Sequence, residues 1–317
     1  MRRARAGLVL LLAFAAPALA QDYDVAVAGD QFPCALDTPI LIPRLVWTPG
    51  GVDPNDDVRT IAAAGGGRVL AALEATRVQL VEVRPDLTRT PFFTGAEGHT
   101  AQELVVDRAG NFFVLATSGE SASILEISAA GTLLNSQPFP SGARSIDLAA
   151  DQCTLFAVHD GTVIRRNVCT ATPLASFATV GSGARELVIL PDGDVLAGTH
   201  TADGYELRRY DPAGSLVRTY DAPEGSLPGA IALGGGGTTL LVGSNCRFSL
   251  HELDLTSGEV LREIAVSHVA GFDSIVSRRG FTAAIGALAA SDVPSLSFAS
   301  VAELVALLAT LAAVRLQ

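Results

Sequence analysis

Short apolar runs separated by polar turns recur along most of the chain at a nearly constant interval. Each copy has an apolar run, a turn rich in Gly, Asp or Asn, and a second apolar run, which together are typical of a β-hairpin. The clear copies are TIAAAGGGRVLAAL (60–73), ELVVDRAGNFFVLAT (103–117), SIDLAADQCTLFAV (145–158), ELVILPDGDVLAGT (186–199) and AIALGGGGTTLLVG (230–243). Their first apolar residues are Ile61, Leu104, Ile146, Leu187 and Ile231, at intervals of 43, 42, 41 and 44 residues. A sixth, weaker copy is DSIVSRRGFTAAIG (273–286).

Two further strands complete each repeat. A third run ends in a turn, as in ASILEISAAG (122–131), and a fourth run follows it, as in LLNSQPF. Four strands in about 40–45 residues is the spacing of a β-propeller blade. The pattern predicts an all-β, six-bladed propeller over residues 58–290. Strands from residues 21–57 would close its last blade, because open sheet edges invite aggregation. Seven blades are the alternative, which requires a four-stranded unit within residues 22–57.

The turn sequences resemble those of known repeat families. LVVDRAGNFFVLATSGESASILEISAAGTLL is similar to an NHL-type repeat, and LPDGDVLAG and RRYDPAGSLVRTY follow the same pattern. The resemblance extends to YVTN and virginiamycin B lyase-like propellers and covers residues 58–286. It implies a propeller, but it implies little about function because these motifs mostly encode turns.

Virginiamycin B lyase-like enzymes use a histidine with a metal near the channel mouth. No histidine of this chain stands in a matching context, so the resemblance supplies no site residue. The five histidines, all in different repeats, are His99, His159, His200, His251 and His268.

The four cysteines predict disulfides. No two of them have the close spacing of a zinc site, and an even number favours pairing in a chain whose residues 1–20 have the pattern of an export signal. Cys153 and Cys169 flank a turn whose Asp160-Gly161 pair is a strong hairpin signal. The hairpin brings the two cysteines opposite each other to within one bulge, so we expect them to be bonded. By elimination Cys34 pairs with Cys246, which would tie the N-terminal segment to the fifth blade.

Residues 1–20 have the three parts of a secretory signal peptide. Arg2, Arg3 and Arg5 precede an apolar run, which ends at Ala18-Leu19-Ala20. An uncleaved anchor is the alternative, but the run is shorter than the ~20 residues that a spanning helix needs. Loss of the three arginines would take the formal charge from −11 to −14, which argues against nucleic acid as a partner. The chain is therefore expected in the periplasm, at the cell surface or outside the cell.

Residues 291–317 predict a C-terminal apolar helix. Its main run, 298–314, would span about 25 Å, slightly less than the ~30 Å hydrocarbon core of a bilayer. The preceding VPSLS resembles the signature of IPTL-CTERM sorting tails, which implies membrane contact through the helix and a processing enzyme that cuts near the motif. A helix packed on the protein is the alternative, because the leucines also have helical spacing. The motif residues are Val293, Pro294, Ser295, Leu296 and Ser297.

Arginine recurs at one position of the repeat. Arg59, Arg144 and Arg185 each stand two residues before the first apolar residue of an inner strand, and Gln102 fills this position in the second blade. Equivalent positions of a propeller form a ring, so three guanidinium groups would meet at one channel mouth and bind a carboxylate or phosphate. Alternatively, each arginine pairs with an acid nearby, such as Asp56 or Glu186.

Two acidic sets have features of a metal site. Asp53, Asn55 and Asp57 have calcium-loop offsets, but the Gly and Glu that an EF-hand loop requires are absent, so a solvated loop is favoured. Inner-strand carboxylates resemble the metal ligands of gluconolactonase-type propellers, but their registers differ. Those carboxylates are Glu103, Asp147, Glu186 and Asp273. The sequence therefore predicts no catalytic residue, metal ligand or cofactor.

Together these patterns favour an exported, non-enzymatic binding module of the cell envelope or surface with an unidentified ligand or protein partner. The alternative is a metal-dependent propeller enzyme, a lactonase-like hydrolase or a lyase, with its site in the central channel.

Overall fold

The computed structural model describes residues 25–28, 45–46, 58–64, 68–73, 75–83, 89–201, 204–221, 231–234, 237–244, 249–265 and 274–277. Every regular element in these ranges is a β-strand, and the strands form a β-propeller, so the predicted all-β fold is confirmed. The predicted signal peptide and C-terminal helix lie outside these ranges. Within them, no helix has the length and apolar character to cross a membrane.

The strands follow one another in chain order. The N-terminal part contributes β1 (Val25–Ala28) and β2 (Leu45–Val46). Blade 1 contains β3 (Val58–Ala64), β4 (Arg68–Leu73), β5 (Arg77–Val83) and β6 (Arg89–Glu97). Blade 2 contains β7 (Thr100–Val106), β8 (Phe112–Ser118), β9 (Ser121–Ile127) and β10 (Leu133–Phe139). Blade 3 contains β11 (Ile146–Leu148), β12 (Thr154–His159), β13 (Thr162–Asn167), β14 (Thr172–Pro173) and β15 (Ala178–Thr179).

The remaining blades have four strands each. Blade 4 contains β16 (Ala184–Ile189), β17 (Val195–Thr201), β18 (Gly204–Tyr210) and β19 (Leu216–Asp221). Blade 5 contains β20 (Ile231–Leu233), β21 (Thr239–Ser244), β22 (Ser249–Asp254) and β23 (Val260–Ala265). The last strand is β24 (Ser274–Ser277).

The blades form a closed ring. Each blade is built from antiparallel neighbours, and its first strand is innermost. The innermost strands β3, β7, β11, β16 and β20 are neighbours in that order, and β24 lies against both β20 and β3. We call the end of the ring where the innermost strands begin the bulge end, and the opposite end, where they turn into the second strands, the turn end.

The number of blades differs from the prediction. The structure shows five blades where six were predicted, and a three-stranded sheet of order β2-β1-β24 stands between blades 5 and 1. β1 pairs antiparallel with β24 but parallel with β2. Among the described residues, the sixth repeat supplies four paired residues and β2 only two. The described residues before β3 likewise provide two strands, not the four that a seventh blade requires.

The core consists of apolar layers between adjacent blades. The second strand of a blade is buried on both faces, as in β8, where Phe112 to Ala116 are all buried. This explains why the second run of each repeat is continuously apolar, whereas an outer strand such as β10 is mostly exposed. Phe112 is fully buried between blades 1 and 2, which contributes about 1.5–3 kcal/mol.

The recurring D-x-x-G motif has a specific role in the turns. In blade 2 the backbone N–H of Asn111 donates to Asp107 Oδ1 (2.7 Å), and Gly110 has a φ of 83°. In blade 4 Asp211 and Gly214 repeat this arrangement, with a φ of 86° at the glycine. Aspartate therefore binds the turn backbone and glycine adopts its left-handed conformation.

Blade 3 departs from the other blades at its outer edge. The predicted fourth strand is replaced by β14 and β15, which both pair with β13. In the same blade Cys153 and Cys169 form the predicted disulfide, with Cα atoms 5.2 Å apart. Asp160 and Gly161 have positive φ angles in the predicted hairpin turn. Cys34 and Cys246 lie outside the described residues.

Candidate functional site

The predicted arginine position coincides with a β-bulge that recurs in the innermost strands. Register shifts fall at Arg59 in β3, at Gln102 in β7 and at Arg185 in β16. In blade 3 the N–H of Arg144 donates to Val158 O, while Val158 N–H donates to Ser145 O, both at 3.0 Å. In all four blades, two residues of the innermost strand therefore oppose one residue of the second strand. Such a bulge changes the direction of the extra residue's side chain relative to the regular alternation of a strand.

The bulge ring (Arg59, Gln102, Arg144 and Arg185) lies at the bulge end. The side chains of Arg144 and Arg185 are exposed, and neither forms a hydrogen bond or ion pair with a residue that the structure describes. The alternative pairing of Arg185 with Glu186 is therefore not observed in the described part. The side chain of Arg59 and the whole of Asp56 lie outside it. Gln102 donates to Thr100 Oγ1 and Thr117 Oγ1, at 3.1 and 3.0 Å.

The inner-strand carboxylates join adjacent blades. Asp147 accepts from the N–H groups of Leu148 (2.7 Å) and Ile189 (2.8 Å), the latter in blade 4. Glu103 accepts from the hydroxyl of Thr60 in blade 1, at 2.8 Å. An innermost strand pairs with another strand on one side only. The N–H groups on its unpaired side therefore need another acceptor, and for Ile189 a side chain of the neighbouring blade supplies it. Asp147 and Glu103 thus bind different blades, and each has a structural partner in the blade that it contacts.

Burial raises the pKa of Asp147 to about 7. The two N–H donors oppose this shift and the charge of Glu103 adds to it. Among the described residues, no group of three or more His, Cys, Asp or Glu side chains has the arrangement to hold a metal ion. Asp273, Asp53, Asn55 and Asp57 lie outside the described ranges.

A second polar cluster, which we call the blade-4 corner, contains Arg185, Glu186, His200 and Tyr205. His200 and Tyr205 are paired across β17 and β18, with ring centroids 5.8 Å apart. The Tyr205 hydroxyl lies over Gly198, where any Cβ would overlap it. That hydroxyl is buried and has no hydrogen-bond partner among the described residues.

The corner perturbs two pKa values. Burial, followed by the charge of Glu186, raises the pKa of Tyr205 well above 10. Burial, followed by the charge of Arg185, lowers the pKa of His200 below its usual 6.5. The phenol therefore remains a donor and the imidazole remains neutral at pH 7. Sequence reasoning missed Tyr205 and His200 in this role, because no local motif marks a hydroxyl left without a partner.

Comparisons with known proteins support the fold. No protein-family model matches the chain, and no curated protein matches it. A protein of unknown function from Bacteroides caccae has a TM-score of 0.55 and 17% identity, and the match covers 71% of this chain and 87% of that chain. An inactive virginiamycin B lyase from Staphylococcus aureus, solved with quinupristin, has a TM-score of 0.51, 12% identity and coverage of 68% and 72%. A structure described as a 6-phosphogluconolactonase from Bacteroides fragilis has a TM-score of 0.51, 12% identity and coverage of 69% and 72%.

The chain thus has a β-propeller fold, and virginiamycin B lyase is one of the propellers to which it is similar. At these identities the likeness shows the fold and not the activity. The NHL and YVTN resemblance and the sorting tail stay predictions.

Proposed function

We propose that this propeller is a non-enzymatic binding module that takes a carboxylate- or phosphate-bearing ligand at its bulge end. Arg59, Arg144 and Arg185 are the ligand-binding residues. The observation that carries the proposal is the recurrent bulge, which occurs at the equivalent backbone position of four successive blades, at one end of the ring. Arg144 and Arg185 are exposed and have no described partner, so their donors are available to a ligand.

Arginine suits this role because its planar guanidinium donates two parallel hydrogen bonds to one carboxylate or phosphate. A single exposed ion pair is worth only about 0–1 kcal/mol. A ring of two or three arginines around one ligand would combine several such contacts. The net charge of −11 makes this end a local exception on an acidic molecule, which favours selective over general anion binding.

The proposal is tested by thermal unfolding with inorganic phosphate and with acetate. We expect both anions to raise Tm of the wild-type chain, and we expect the triple substitution Arg59→Gln, Arg144→Gln, Arg185→Gln to abolish the increase. A matched control replaces Arg89, Arg108 and Arg262, which lie on β6, in the turn between β7 and β8, and on β23, so it removes the same charge away from the bulge end. An equal anion response in the ring variant and the wild type would overturn the proposal.

We further propose that the chain is exported to the envelope or cell surface. We also propose that the sheet of order β2-β1-β24, the terminal sheet, serves as a closing sixth blade. Residues 1–20 would direct export, and residues 291–317 would hold the chain in the membrane until a processing enzyme cuts near VPSLS (293–297). The support is the order of basic, apolar and small residues at the N-terminus and the pairing of β1 with β24. Intact mass of the protein from its native host tests both cleavages, and a mass that includes Gln317 would exclude tail removal.

A further inference from the structure

We propose that the blade-4 corner binds a small zwitterion, a ligand that carries a carboxylate and an ammonium group on neighbouring atoms, as a free α-amino acid does. The inference rests on the proposed function only through Arg185, which belongs both to the bulge ring and to the corner. The other three residues of the corner are not part of the ring.

The bulge juxtaposes two opposite charges. Because Ala184 pairs with Thr199 and Glu186 pairs with Gly198, Arg185 is the extra residue, and Arg185 and Glu186 together oppose one residue of β17. Arg185 forms no ion pair with a described residue, so its guanidinium is available to a ligand carboxylate. The carboxylate of Glu186 has about four acceptor positions, so it can accept from a ligand ammonium in addition to its present contacts.

The hydroxyl of Tyr205 supplies the third contact. Its position over Gly198 places it at the residue of β17 that pairs with Glu186, and the charge of Glu186 contributes to its raised pKa. A buried donor without an acceptor costs about 1–3 kcal/mol, and such a group in a native fold calls for an explanation. A ligand carboxylate oxygen held by Arg185 would be the acceptor that this donor lacks in the described part of the chain.

The charge balance favours a zwitterion over a simple anion. His200 stays neutral at pH 7, so the corner has one positive and one negative charge. The other ring arginines differ in this respect, because Arg59 is followed by Thr60 and Arg144 by Ser145. Only in blade 4 of the five repeats is the ring arginine followed by an acid, so only there does the ring position offer both charges.

The test measures Tm of the full chain with four probes: glycine, acetate, methylammonium and inorganic phosphate. We expect glycine to raise Tm more than acetate and methylammonium do together. Glycine contacts both Arg185 and Glu186 as one molecule, so translational and rotational freedom is lost once and not twice. Glu186→Gln should remove this excess while the acetate response remains. Arg185→Gln should remove the responses to both glycine and acetate at the corner.

Tyr205→Phe provides the sharpest variant. Its affinity for glycine, measured by calorimetric titration, should fall about tenfold, the loss of one hydrogen bond to a charged group. The unliganded variant should be at least as stable as the wild type, because the unpaired hydroxyl has been removed. Arg262→Gln, far from the inner strands, should leave every response unchanged.

Failure of this inference differs from failure of the proposed function. If glycine stabilises the wild type no more than acetate does, the zwitterion site is overturned, whereas a phosphate response that Arg144→Gln reduces still supports the anion ring. If Glu186→Gln and Arg144→Gln reduce the glycine response equally, the excess does not come from the corner, and the inference is again wrong.

Discussion

At the scale of single residues, Asp147 shows how a carboxylate on an inner strand serves the fold. It is 3% exposed, and its two oxygens accept N–H groups from its own strand and from blade 4. Water is excluded from this position, so the charged form is disfavoured although both oxygens are hydrogen-bonded. The residue therefore holds two blades together and also makes their contact sensitive to pH.

We predict that stability falls as pH rises from about 4 to 8 through Asp147. The pKa is about 7 in the folded state against 3.8 for an ordinary aspartate, so the folded chain binds the proton more tightly. The protonated Asp147 carboxyl stabilises the folded state fully at pH values below the unfolded pKa, and this stabilisation is lost as pH rises through 7. The free energy of unfolding should fall by up to about 4 kcal/mol over this range. Chemical denaturation at several pH values checks this, since Asp147→Asn should flatten the slope.

Asp151 is the matched control because its pKa is shifted the other way. Partial burial by itself would raise the pKa of Asp151. Hydrogen bonds donated by Thr154 and Cys153 outweigh this effect, so the pKa is lowered overall. Asp151→Asn should therefore remove stability above the unfolded pKa and leave the acid range unchanged. Parallel pH slopes for the wild type and Asp147→Asn would contradict the assignment.

At the scale of elements, the disulfide of blade 3 compensates for a weak outer edge. β14 and β15 have two residues each, whereas the outer strands of the other blades have six to nine. The Cys153–Cys169 bond joins the turn before β12 to the turn after β13. It thus ties the open ends of the β12–β13 hairpin together, next to the two residues of β13 that pair with β14.

Removal of this disulfide should be costly. With a sequence separation of 16, we expect Cys153→Ser with Cys169→Ser to lower the free energy of unfolding by about 3 kcal/mol. Denaturant unfolding measures the loss. A reducing agent should destabilise the wild type by a similar amount and leave the double variant unchanged, and a variant as stable as the oxidised wild type would refute the role.

The outer strands also share an exposed apolar feature. In the described part of the chain, all exposed large apolar side chains stand at the start of an outer strand or directly after β14. In β10, β19 and β23 the second residue of the strand is a bulge. The residues are Leu133, Leu134, Leu174, Leu216, Val217, Val260 and Leu261.

Because these side chains are about half exposed, we expect polar replacements there to have little effect on folding. Leu134→Thr, Val217→Thr and Leu261→Thr should each change the free energy of unfolding by about 0.5 kcal/mol or less. The triple variant that combines them should self-associate less than the wild type, as measured by light scattering. The side chain of Leu207 is fully buried between blades 4 and 5. Leu207→Ala should therefore lower the free energy of unfolding by about 2–5 kcal/mol. A comparable loss in the triple variant would show that the bulged side chains are core residues.

At the scale of the whole molecule, the ring is closed by its two ends. β1 pairs with β24 across nearly the full length of the chain, with Val25 opposite Ser277 and Ala28 opposite Ser274. β24 in turn touches the innermost strands of blades 5 and 1. These four residue pairs therefore join the two ends of the chain between blades 5 and 1.

A proline in β1 should open this closure. Ala26→Pro removes an N–H in a strand that pairs on both sides, so we expect a lower Tm, a less cooperative transition and faster proteolysis. Ala129→Pro is the control, because Pro212 already occupies the equivalent turn position in blade 4. Equal behaviour of the two variants would show that the terminal sheet does not support the ring.

Much of the fold was predictable because its signals are local. The paired apolar runs, the D-x-x-G turns and the Cys153–Cys169 pair depend on residues within one hairpin, so repeat spacing and turn chemistry were sufficient. The arginine position was predictable for the same reason, since equivalent residues of a repeat occupy equivalent places. The bulge at that position was not, because no residue type near Arg59 or Arg185 marks a register shift.

By itself, the sequence determined the strand order within blades 1, 2, 4 and 5, the hairpin turns and the Cys153–Cys169 bond, all of which follow from interactions between neighbours in the chain. Only the tertiary structure decided the blade count, the binding of Ile189 by Asp147 and the unpaired hydroxyl of Tyr205. Those features depend on which distant groups meet and how much water they lose when blades pack. A pattern of apolar and polar positions records whether a residue is buried, but not which partner it finds there.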